Sequence, residues 1–210
     1  MVYLSKLSNK HNSTLIHFST DYVFDGLKNN KYNEEDKTKP ISKYGISKQK
    51  GEQVIINNCN NYIIFRISWL FSEFNKNFVK FVIDQLKKNK DIYAVNDLFS
   101  IPTCSDDICL LLQHVIKENL YKHKKCLYHS VNNGEIISWY DFAREIMRIY
   151  SSYYKTKSNI ISVSSKNFFK NNIRPKYSAM DNNKLNNELN FQFANWKNSL
   201  KKTIENILHI

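Results

Sequence analysis

Glycine, proline and arginine are all scarce in this sequence. Its 210 residues include four glycines, three prolines and four arginines. The glycines are Gly26, Gly45, Gly51 and Gly134, and no two of them lie within five residues of each other. The chain therefore has no glycine-rich loop of the type that lets a backbone approach the pyrophosphate of a dinucleotide.

Long apolar runs are absent as well. No stretch approaches the roughly 18 apolar residues that cross a bilayer, and residues 1–10 lack the apolar core of a signal peptide. The hydrophobic fraction of 42% is nevertheless that of a globular chain, and 210 residues are enough for one domain with a sizeable core. We therefore predict a cytoplasmic protein with no membrane partner.

Cysteine is sparse, and its spacing is uninformative. Cys59, Cys104, Cys109 and Cys126 form no C-x-x-C pair and have no matching set of histidines. Buried free thiols are the favoured interpretation, and metal or disulfide roles are the weaker alternatives. The sequence therefore predicts no metal site.

The net charge of +12 raises the question of a nucleic-acid partner. Arginine is the usual reader of phosphates and base edges, and basic segments that bind nucleic acid tend to cluster. Here the basic residues are mostly lysines that are spread along the whole chain. We therefore predict no nucleic-acid binding. A basic surface also suits an anionic nucleotide diphosphate, although it does not identify one.

Strand-like and helix-like segments alternate along the chain, which predicts the α/β class with a parallel sheet. Apolar or alternating runs predict strands over 14–19, 62–67, 92–95, 126–131 and 160–163. Apolar residues at intervals of three and four predict helices over 44–57, 78–86, 106–116, 138–150 and 196–207. The Asn/Lys-rich stretches 28–39 and 181–190 are predicted to be surface loops.

Tyr44 and Lys48 lie four residues apart in the helix predicted over 44–57, so their side chains share one face. A phenol has an ordinary pKa of about 10, and an ammonium about 4 Å away can lower it by roughly three units, toward neutrality. A phenol tuned in this way can protonate a carbonyl. The spacing alone is weak, because Tyr121/Lys125 and Tyr153/Lys157 repeat it.

Small polar residues follow the first predicted strand. Ser19, Thr20 and Asp21 come directly after the apolar run that ends at Phe18. Ligands of parallel sheets bind beyond the carboxyl ends of the strands, where a hydroxyl can hydrogen-bond a substrate carbonyl. The alternative is an ordinary turn cap formed by Ser, Thr or Asp.

Five motifs, in this order and spacing, resemble those of the dTDP-4-dehydrorhamnose reductase family, which belongs to the extended short-chain dehydrogenases/reductases. They are S-T-D-Y-V-F-D-G (19–26), P-x-x-x-Y-G-x-S-K-x-x-G-E (40–52), F-R-I-S-W (65–69), V-N-D-L-F-S-I-P-T (95–103) and R-P-K-Y-S-A-M-D-N-N-K (174–184). The similarity covers essentially the whole chain. One departure is Leu98, which stands where the family usually has glutamine and puts a polar role there in doubt.

The resemblance implies a reductase that moves hydride from NADPH or NADH to the 4-keto group of a nucleotide-linked 6-deoxyhexose. It makes Tyr44 the proton donor, Lys48 the residue that tunes Tyr44 and holds the nicotinamide ribose, and Thr20 the residue that orients the keto oxygen. The remaining implied contacts are Ser19 to the coenzyme and Asp21, Tyr22, Trp69 and Arg174 to the substrate. Two alternatives stay open, because Trp69 could be a core aromatic and Arg174 could pin a loop.

The family also implies a Rossmann-type sheet of which this chain holds the C-terminal part, with a small α/β substrate-binding region. The nucleotide-binding remnant is expected in 1–70 and about 100–135, and the substrate-binding region in about 71–99 and 136–210. The N-terminal βαβ cofactor half, with its glycine-rich turn, is expected to be absent. A second chain that supplies this half, a start internal to a longer protein, and a decaying gene product are the three explanations that the sequence leaves open.

An enzyme is not the only function that the resemblance allows. A non-catalytic regulatory or substrate-binding subunit, similar to the beta subunit of methionine adenosyltransferase, is the alternative, together with an inactive fragment. The intact Thr20, Tyr44 and Lys48 favour the enzyme, whereas the missing glycine-rich loop favours loss of activity in this chain alone.

Overall fold

The computed structural model of the chain describes residues 1–169 and 173–210, and its helices and parallel strands alternate as the sequence predicts. The predicted α/β class is confirmed. The strands are β1 (Leu15–Thr20), β2 (Tyr62–Ile67), β3 (Leu70–Phe71), β4 (Ile92–Val95), β5 (Phe99–Ser100), β6 (Thr103–Cys104), β7 (Lys125–His129), β8 (Ile137–Ser138) and β9 (Ile160–Val163). The helices are α1 (Val2–Lys10), α2 (Lys43–Asn58), α3 (Phe78–Lys87), α4 (Ser105–Lys117), α5 (Trp139–Ser151), α6 (Ser165–Phe168), α7 (Asn183–Leu189) and α8 (Trp196–Leu208), with a 3-10 helix at Asp21–Val23.

The chain divides into two compact units. The first comprises Met1–Ser68, Ile108–Val131 and Ile173–Gln192. The second comprises Trp69–Asp107, Asn132–Asn172 and Phe193–Ile210. These are units of packing, so the assignment of one predicted region to the nucleotide and the other to the substrate stays a prediction.

A three-stranded parallel sheet in the order β1-β2-β7 forms the centre of the first unit. Five of the six residues of β2 are buried, as expected for a central parallel strand that is covered on both faces. The register aligns Phe18 with Phe65 and Phe65 with Tyr128, and their rings lie 6.1 Å apart in both pairs. One residue further on, the same register aligns Ser19, Arg66 and His129.

Helix α2 packs against β1, β2 and the 3-10 helix. It begins at an N-cap, Ser42, whose hydroxyl accepts a hydrogen bond from the Gly45 backbone N–H at 3.0 Å. Gly45 is buried, and a Cβ atom at this position would lie only 2.1 Å from the Tyr22 carbonyl oxygen. The absence of a side chain therefore lets the first turn of α2 approach the 3-10 helix closely.

The segment that follows residue 173 packs within the first unit. The Tyr32 N–H donates to the Ala179 carbonyl (2.9 Å), and the Asp181 N–H donates to the Tyr32 carbonyl (2.7 Å). The predicted surface loop over 181–190 is wrong, because α7 occupies most of it. Leu185 and Leu189 lie one helical turn apart and are fully buried, so two apolar side chains anchor an otherwise polar helix.

The second unit is built from three two-stranded pairs, β3-β6, β4-β9 and β5-β8, and from helices that include α3, α5 and α8. Helix α5 begins with a capping box in which Ser138 and Asp141 exchange hydrogen bonds. Aromatic rings fill the interior: Phe142 lies 5.7 Å from Phe71 and 5.8 Å from Trp196.

No helix in the described ranges combines the length and apolar character that a membrane span requires. Across residues 1–169 and 173–210, no three His, Cys, Asp or Glu side chains form a group that could hold a metal ion. All four cysteines are free thiols, of which Cys59 and Cys104 are buried and Cys109 is exposed.

Candidate active site

The predicted hydroxyl residues lie at the carboxyl end of β1, where the strand passes into the 3-10 helix. Thr20 is the N-cap of that helix: its hydroxyl accepts from the Tyr22 N–H at 3.3 Å and donates to the Asp21 carboxylate at 3.0 Å. The turn-cap interpretation therefore describes what Thr20 does in the folded chain. Its predicted contact with a substrate oxygen stays a prediction.

Asp21 points into the protein and is 2% exposed. One carboxyl oxygen accepts from the Thr20 hydroxyl, and the other accepts from the Ser178 hydroxyl at 2.5 Å. Burial raises the pKa of Asp21 to about 7, against the opposing effect of these hydrogen bonds. A carboxyl group that titrates near neutrality is a feature of functional sites. Ser178, which lies in the motif over 174–184 and had no predicted role, thus belongs to the site.

Tyr22 connects the site to two other predicted residues. Its ring meets the Tyr44 ring edge to face, with centroids 5.9 Å apart and an angle of 80°. Its hydroxyl accepts from the Arg174 guanidinium at 3.3 Å. Burial and the neighbouring Asp21 raise the pKa of Tyr22 to about 12, although Arg174 opposes the shift. Tyr22 therefore remains a protonated phenol at neutral pH.

Tyr44 and Lys48 lie one turn apart on α2, as predicted. The Tyr44 side chain is 55% exposed and so is accessible to a ligand. The Lys48 ammonium donates to the Phe18 carbonyl oxygen, which places the cation near the carboxyl end of β1. Partial burial lowers the pKa of Lys48, while the Glu52 carboxylate opposes that shift.

The two alternative Tyr/Lys pairs do not share this geometry. Tyr121 and Tyr153 both lie in turns beyond the ends of helices, so the lysines four residues after them do not share a helix face with them. Among the three pairs, Tyr44/Lys48 is therefore the one on a helix.

Ser19, the predicted coenzyme contact, has a buried hydroxyl for which the described residues provide no hydrogen-bond partner. An unsatisfied buried polar group costs roughly 1–3 kcal/mol. It lies one residue along β1 from Phe18, whose carbonyl binds Lys48. A polar ligand at this strand end would satisfy the hydroxyl, so Ser19, Tyr44 and Lys48 fit the nicotinamide-ribose end of a coenzyme.

Behind α2 lies a buried polar network that the sequence analysis did not identify. Arg66 donates to both carboxyl oxygens of Glu52, at 2.9 and 2.7 Å. The third Arg66 nitrogen lies 3.4 Å from His129 Nε2, and His129 Nδ1 lies 3.2 Å from the Tyr32 and Asp181 carbonyl oxygens. Burial and the Arg66 cation lower the pKa of His129 to about 3, so this imidazole is neutral. The sequence contains a signal for this network, because Glu52 lies in the motif over 40–52 and Arg66 lies in the motif over 65–69.

Trp69 belongs to the second unit. Its indole ring is half-buried and stacks on Trp139, with centroids 4.0 Å apart and an angle of 21°. Its backbone has a positive φ of 41°, which is rare for a large side chain, and its carbonyl accepts from the Thr103 N–H at 3.2 Å. Trp69 is thus neither a fully buried core residue nor a free surface residue, and Trp139 is a stacking partner that sequence reasoning missed.

The departure at position 98 has a simple structural consequence. Leu98 is 4% exposed, so it packs in the core where the family usually has an amide. The neighbouring Asp97 accepts from the backbone N–H and the hydroxyl of Ser165, at 2.8 and 3.1 Å. A polar role at position 98 is therefore replaced by apolar packing in this chain.

The parallel sheet and this site together define a Rossmann-type α/β protein with the tyrosine–lysine pair of a short-chain reductase. The chain belongs to the RmlD substrate binding domain family, whose model matches residues 1–209. The predicted resemblance is confirmed.

Named relatives agree with this assignment. The dTDP-4-dehydrorhamnose reductase of Aggregatibacter actinomycetemcomitans is 34% identical over 204 residues, which cover 95% of this chain and 69% of the relative. That of Sinorhizobium fredii is 32% identical over 90% of this chain and 65% of its own length. The spore coat polysaccharide biosynthesis protein SpsK of Bacillus subtilis is 31% identical over 97% of this chain and 68% of its own length. The chain therefore spans about two thirds of the length of these relatives.

Solved structures show the same relationship. The dTDP-4-dehydrorhamnose reductase of Bacillus anthracis, determined in complex with NADP, superposes with a TM-score of 0.86 at 34% identity, over 98% of this chain and 70% of that one. A dTDP-4-dehydrorhamnose reductase ortholog from Clostridium acetobutylicum gives a TM-score of 0.87 at 32% identity, over 100% of this chain and 71% of that one. The expected Rossmann-type architecture is confirmed for the part that this chain contains.

Proposed function

We propose that this chain carries the substrate-binding and proton-donating residues of a reductase that acts on a nucleotide-linked 4-keto-6-deoxyhexose, with dTDP-4-dehydrorhamnose as the substrate. The observation that carries the proposal is the edge-to-face contact between the Tyr44 and Tyr22 rings beside the carboxyl end of β1. The Lys48 ammonium binds the Phe18 carbonyl oxygen near the same strand end. The family match and the names of the relatives support a reductase over the alternative of a regulatory subunit.

Tyr44 is the proton donor in this proposal. Its phenol is exposed and shares a helix face with the Lys48 ammonium, which stabilises the phenolate left after proton transfer. Tyr22 is the neighbouring phenol, but its pKa of about 12 makes it a poor acid at neutral pH. Tyr22 instead serves as a neutral hydrogen-bonding group beside Tyr44.

The substrate contacts follow from the same turn. Thr20 and Tyr22 present their polar atoms around the strand end, and Arg174 supports Tyr22 through its guanidinium. A guanidinium is well suited to the negative charge of a nucleotide diphosphate. Asp21 lies in the protein interior and orients the Thr20 hydroxyl through their hydrogen bond. We retain Trp69 as a proposed contact to the sugar, because its stacked and half-buried ring offers a rigid aromatic surface.

NADPH or NADH, when bound, supplies the hydride that reduces the carbonyl carbon. The residues of this chain that would hold the nicotinamide end are Ser19, Tyr44 and Lys48. We propose that a further polypeptide segment or a second chain supplies the pyrophosphate-binding half, since this sequence has no glycine-rich loop. In support, β1 lies at the edge of the three-stranded sheet and its Phe18 side chain is 37% exposed.

We also propose that the protein works in the cytoplasm. The four cysteines are free thiols, and Cys109 is exposed. A reducing compartment keeps such thiols from forming disulfides.

Calorimetric titration of the purified chain with dTDP-hexose, UDP-hexose and NADPH tests the proposal. We expect a dTDP-sugar to bind and Arg174→Ala to weaken that binding by at least about tenfold, since a charge-assisted bond is worth roughly 1.5–3 kcal/mol. Arg144→Ala, which removes an arginine from the second unit, is the matched control and should change little.

The three ligands separate the parts of the proposal. Binding of the sugar nucleotide without NADPH identifies a substrate-side half that needs a coenzyme-binding segment. Tight NADPH binding by the chain alone would refute the proposed requirement for that segment. Failure of both dTDP- and UDP-sugars to bind would overturn the proposed function.

A further inference from the structure

Asp21 is a buried carboxyl group that forms no ion pair with a cation in residues 1–169 and 173–210. Buried carboxylates are ordinarily paired with a positive charge. The ion pairs formed by the described residues involve other carboxylates, and Asp21 has two neutral hydroxyl donors instead, Thr20 at 3.0 Å and Ser178 at 2.5 Å. Burial therefore favours the neutral carboxyl group, whereas these hydrogen bonds favour the carboxylate.

The hydroxyl of Thr20 has one proton to donate. In the folded chain this proton is directed at the Asp21 carboxylate, while the Tyr22 N–H occupies a lone pair of the same oxygen. In this arrangement Thr20 has no proton left for a substrate oxygen. A keto oxygen, which only accepts hydrogen bonds, therefore gains nothing from Thr20 until the proton is released from Asp21.

We propose that binding of a keto-sugar is coupled to the uptake of one proton by Asp21, which reverses the Thr20–Asp21 hydrogen bond and turns the Thr20 proton toward the keto oxygen. The proton comes from solvent, no covalent bond is made or broken, and the proton returns to solvent when the ligand leaves. Asp21 is thus a positioning residue that acts through Thr20. This inference rests on the proposed function, in which Thr20 faces the keto oxygen.

The other titratable and charged groups near this turn come from the turn itself, from the segment packed on it and from α2. Tyr22, on the same turn, has a pKa of about 12 and stays protonated. Arg174, from the segment packed on the turn, donates through its guanidinium to the Tyr22 hydroxyl. From α2, Tyr44 contacts Tyr22, and the Lys48 ammonium is directed to the Phe18 carbonyl. The pKa of about 7 for Asp21 supports the geometric argument.

Titration calorimetry in buffers of different ionisation enthalpy measures the protons taken up per ligand bound. With a dTDP-linked 4-keto-6-deoxyhexose, we expect uptake close to one proton at about pH 8, where free Asp21 is mostly ionised, and close to zero at about pH 6. dTDP, which has no keto group, should bind without this uptake. Asp21→Asn, which mimics the neutral carboxyl, should bind the keto-sugar without proton uptake, whereas the control Asp84→Asn on α3 should behave as the wild type.

A second variant covers the case in which Asp21→Asn does not fold. Ser178→Ala removes a hydrogen bond that favours the carboxylate, so the midpoint of proton uptake should move to higher pH. Three outcomes would each overturn the inference while leaving the proposed function intact. They are keto-sugar binding to the wild type without proton uptake at pH 8, proton uptake that persists in Asp21→Asn, and an unchanged midpoint of proton uptake in Ser178→Ala. If neither dTDP nor the keto-sugar binds the wild type, the inference and the proposed function are both wrong.

Discussion

Arg66 on the central strand β2 and Glu52 on helix α2 form a two-bonded ion pair, at 2.7 and 2.9 Å, and both side chains are almost completely buried. Phe24 covers the guanidinium, whose central carbon lies 5.1 Å from the ring centre. The pair therefore fastens the helix that carries Tyr44 and Lys48 to the centre of the sheet. Its role is to hold the site in place.

Removal of one partner of this pair should destabilise the fold strongly. Arg66→Met leaves the Glu52 carboxylate buried without a cation, which typically costs about 3–5 kcal/mol. Urea unfolding measures the loss. The control is Arg148→Met, which breaks the exposed pair with Glu145 and should cost at most about 1 kcal/mol. Equal losses in the two variants would show that the buried pair has no special structural role.

Tyr44→Phe should remove the proton donor and leave the ring contact with Tyr22 in place. Loss of a general acid costs typically 10²–10⁴-fold in rate, so we expect reduction to fall at least about 100-fold, with sugar-nucleotide affinity changed less than about threefold. The assay follows NADPH oxidation with the coenzyme-binding segment present. Tyr153→Phe, whose hydroxyl binds Glu205 on α8, is the control. Near-normal turnover of Tyr44→Phe would show that another group is the acid.

Asp21 and His129 should make opposite contributions to the dependence of stability on pH. The folded pKa of Asp21, about 7, is above its ordinary value of 3.8, so its contribution is fully present below pH 3.8 and is lost as the pH rises toward 7. The folded pKa of His129, about 3, is below its ordinary value of 6.5, so its contribution is absent below about pH 3 and is gained as the pH rises to 6.5. The two contributions to the free energy of unfolding therefore oppose each other between about pH 4 and 6.5.

Variants separate the two contributions. The free energy of unfolding of Asp21→Asn should rise more steeply than that of the wild type between about pH 4 and 7, because the opposing effect of Asp21 is gone. That of His129→Gln should fall over the same range. Urea titrations at several pH values provide the measurement. Parallel curves for Asp21→Asn and the wild type would mean that Asp21 titrates at an ordinary pKa in the folded chain.

The two glycines of α2 provide a matched pair of substitutions. Gly45→Ala would place a Cβ 2.1 Å from the Tyr22 carbonyl, so the start of α2 must move away from the 3-10 helix. We expect it to cost several kcal/mol and to weaken sugar-nucleotide binding. Gly51→Ala meets only ordinary contacts, at 3.5 Å and beyond, and should stabilise the helix by up to about 1 kcal/mol. Thermal unfolding of both variants tests the contrast, and equal melting temperatures would contradict it.

Much of the architecture could be read from local pattern. The predicted strands over 62–67, 92–95 and 160–163 coincide with β2, β4 and β9, and each of the five predicted helices is present within one residue of the expected ends. These elements carry strong periodicity or buried apolar runs, which act over a few residues. Helix α7 was missed because its composition is polar and only two leucines, Leu185 and Leu189, signal burial.

The candidate site shows the limit of such patterns. Motif order identified the family, and the site residues that it predicts include Thr20, Asp21, Tyr22, Tyr44, Lys48 and Arg174, which all lie in the first unit. It did not predict that Ser178 would bind Asp21 across 157 positions or that Arg174 would bind Tyr22 across 152. The motifs also did not predict that the Trp139 ring would stack on the Trp69 ring.

The sequence by itself thus determined the α/β class, the family and the chemical groups available for catalysis, because periodicity and motif spacing are local properties of a chain. The tertiary structure alone decided which of those groups are charged, buried or connected. Burial, and not residue type, raises the pKa of Asp21 to about 7 and keeps His129 neutral. Such environments are created when distant segments pack together, and no short stretch of sequence contains them.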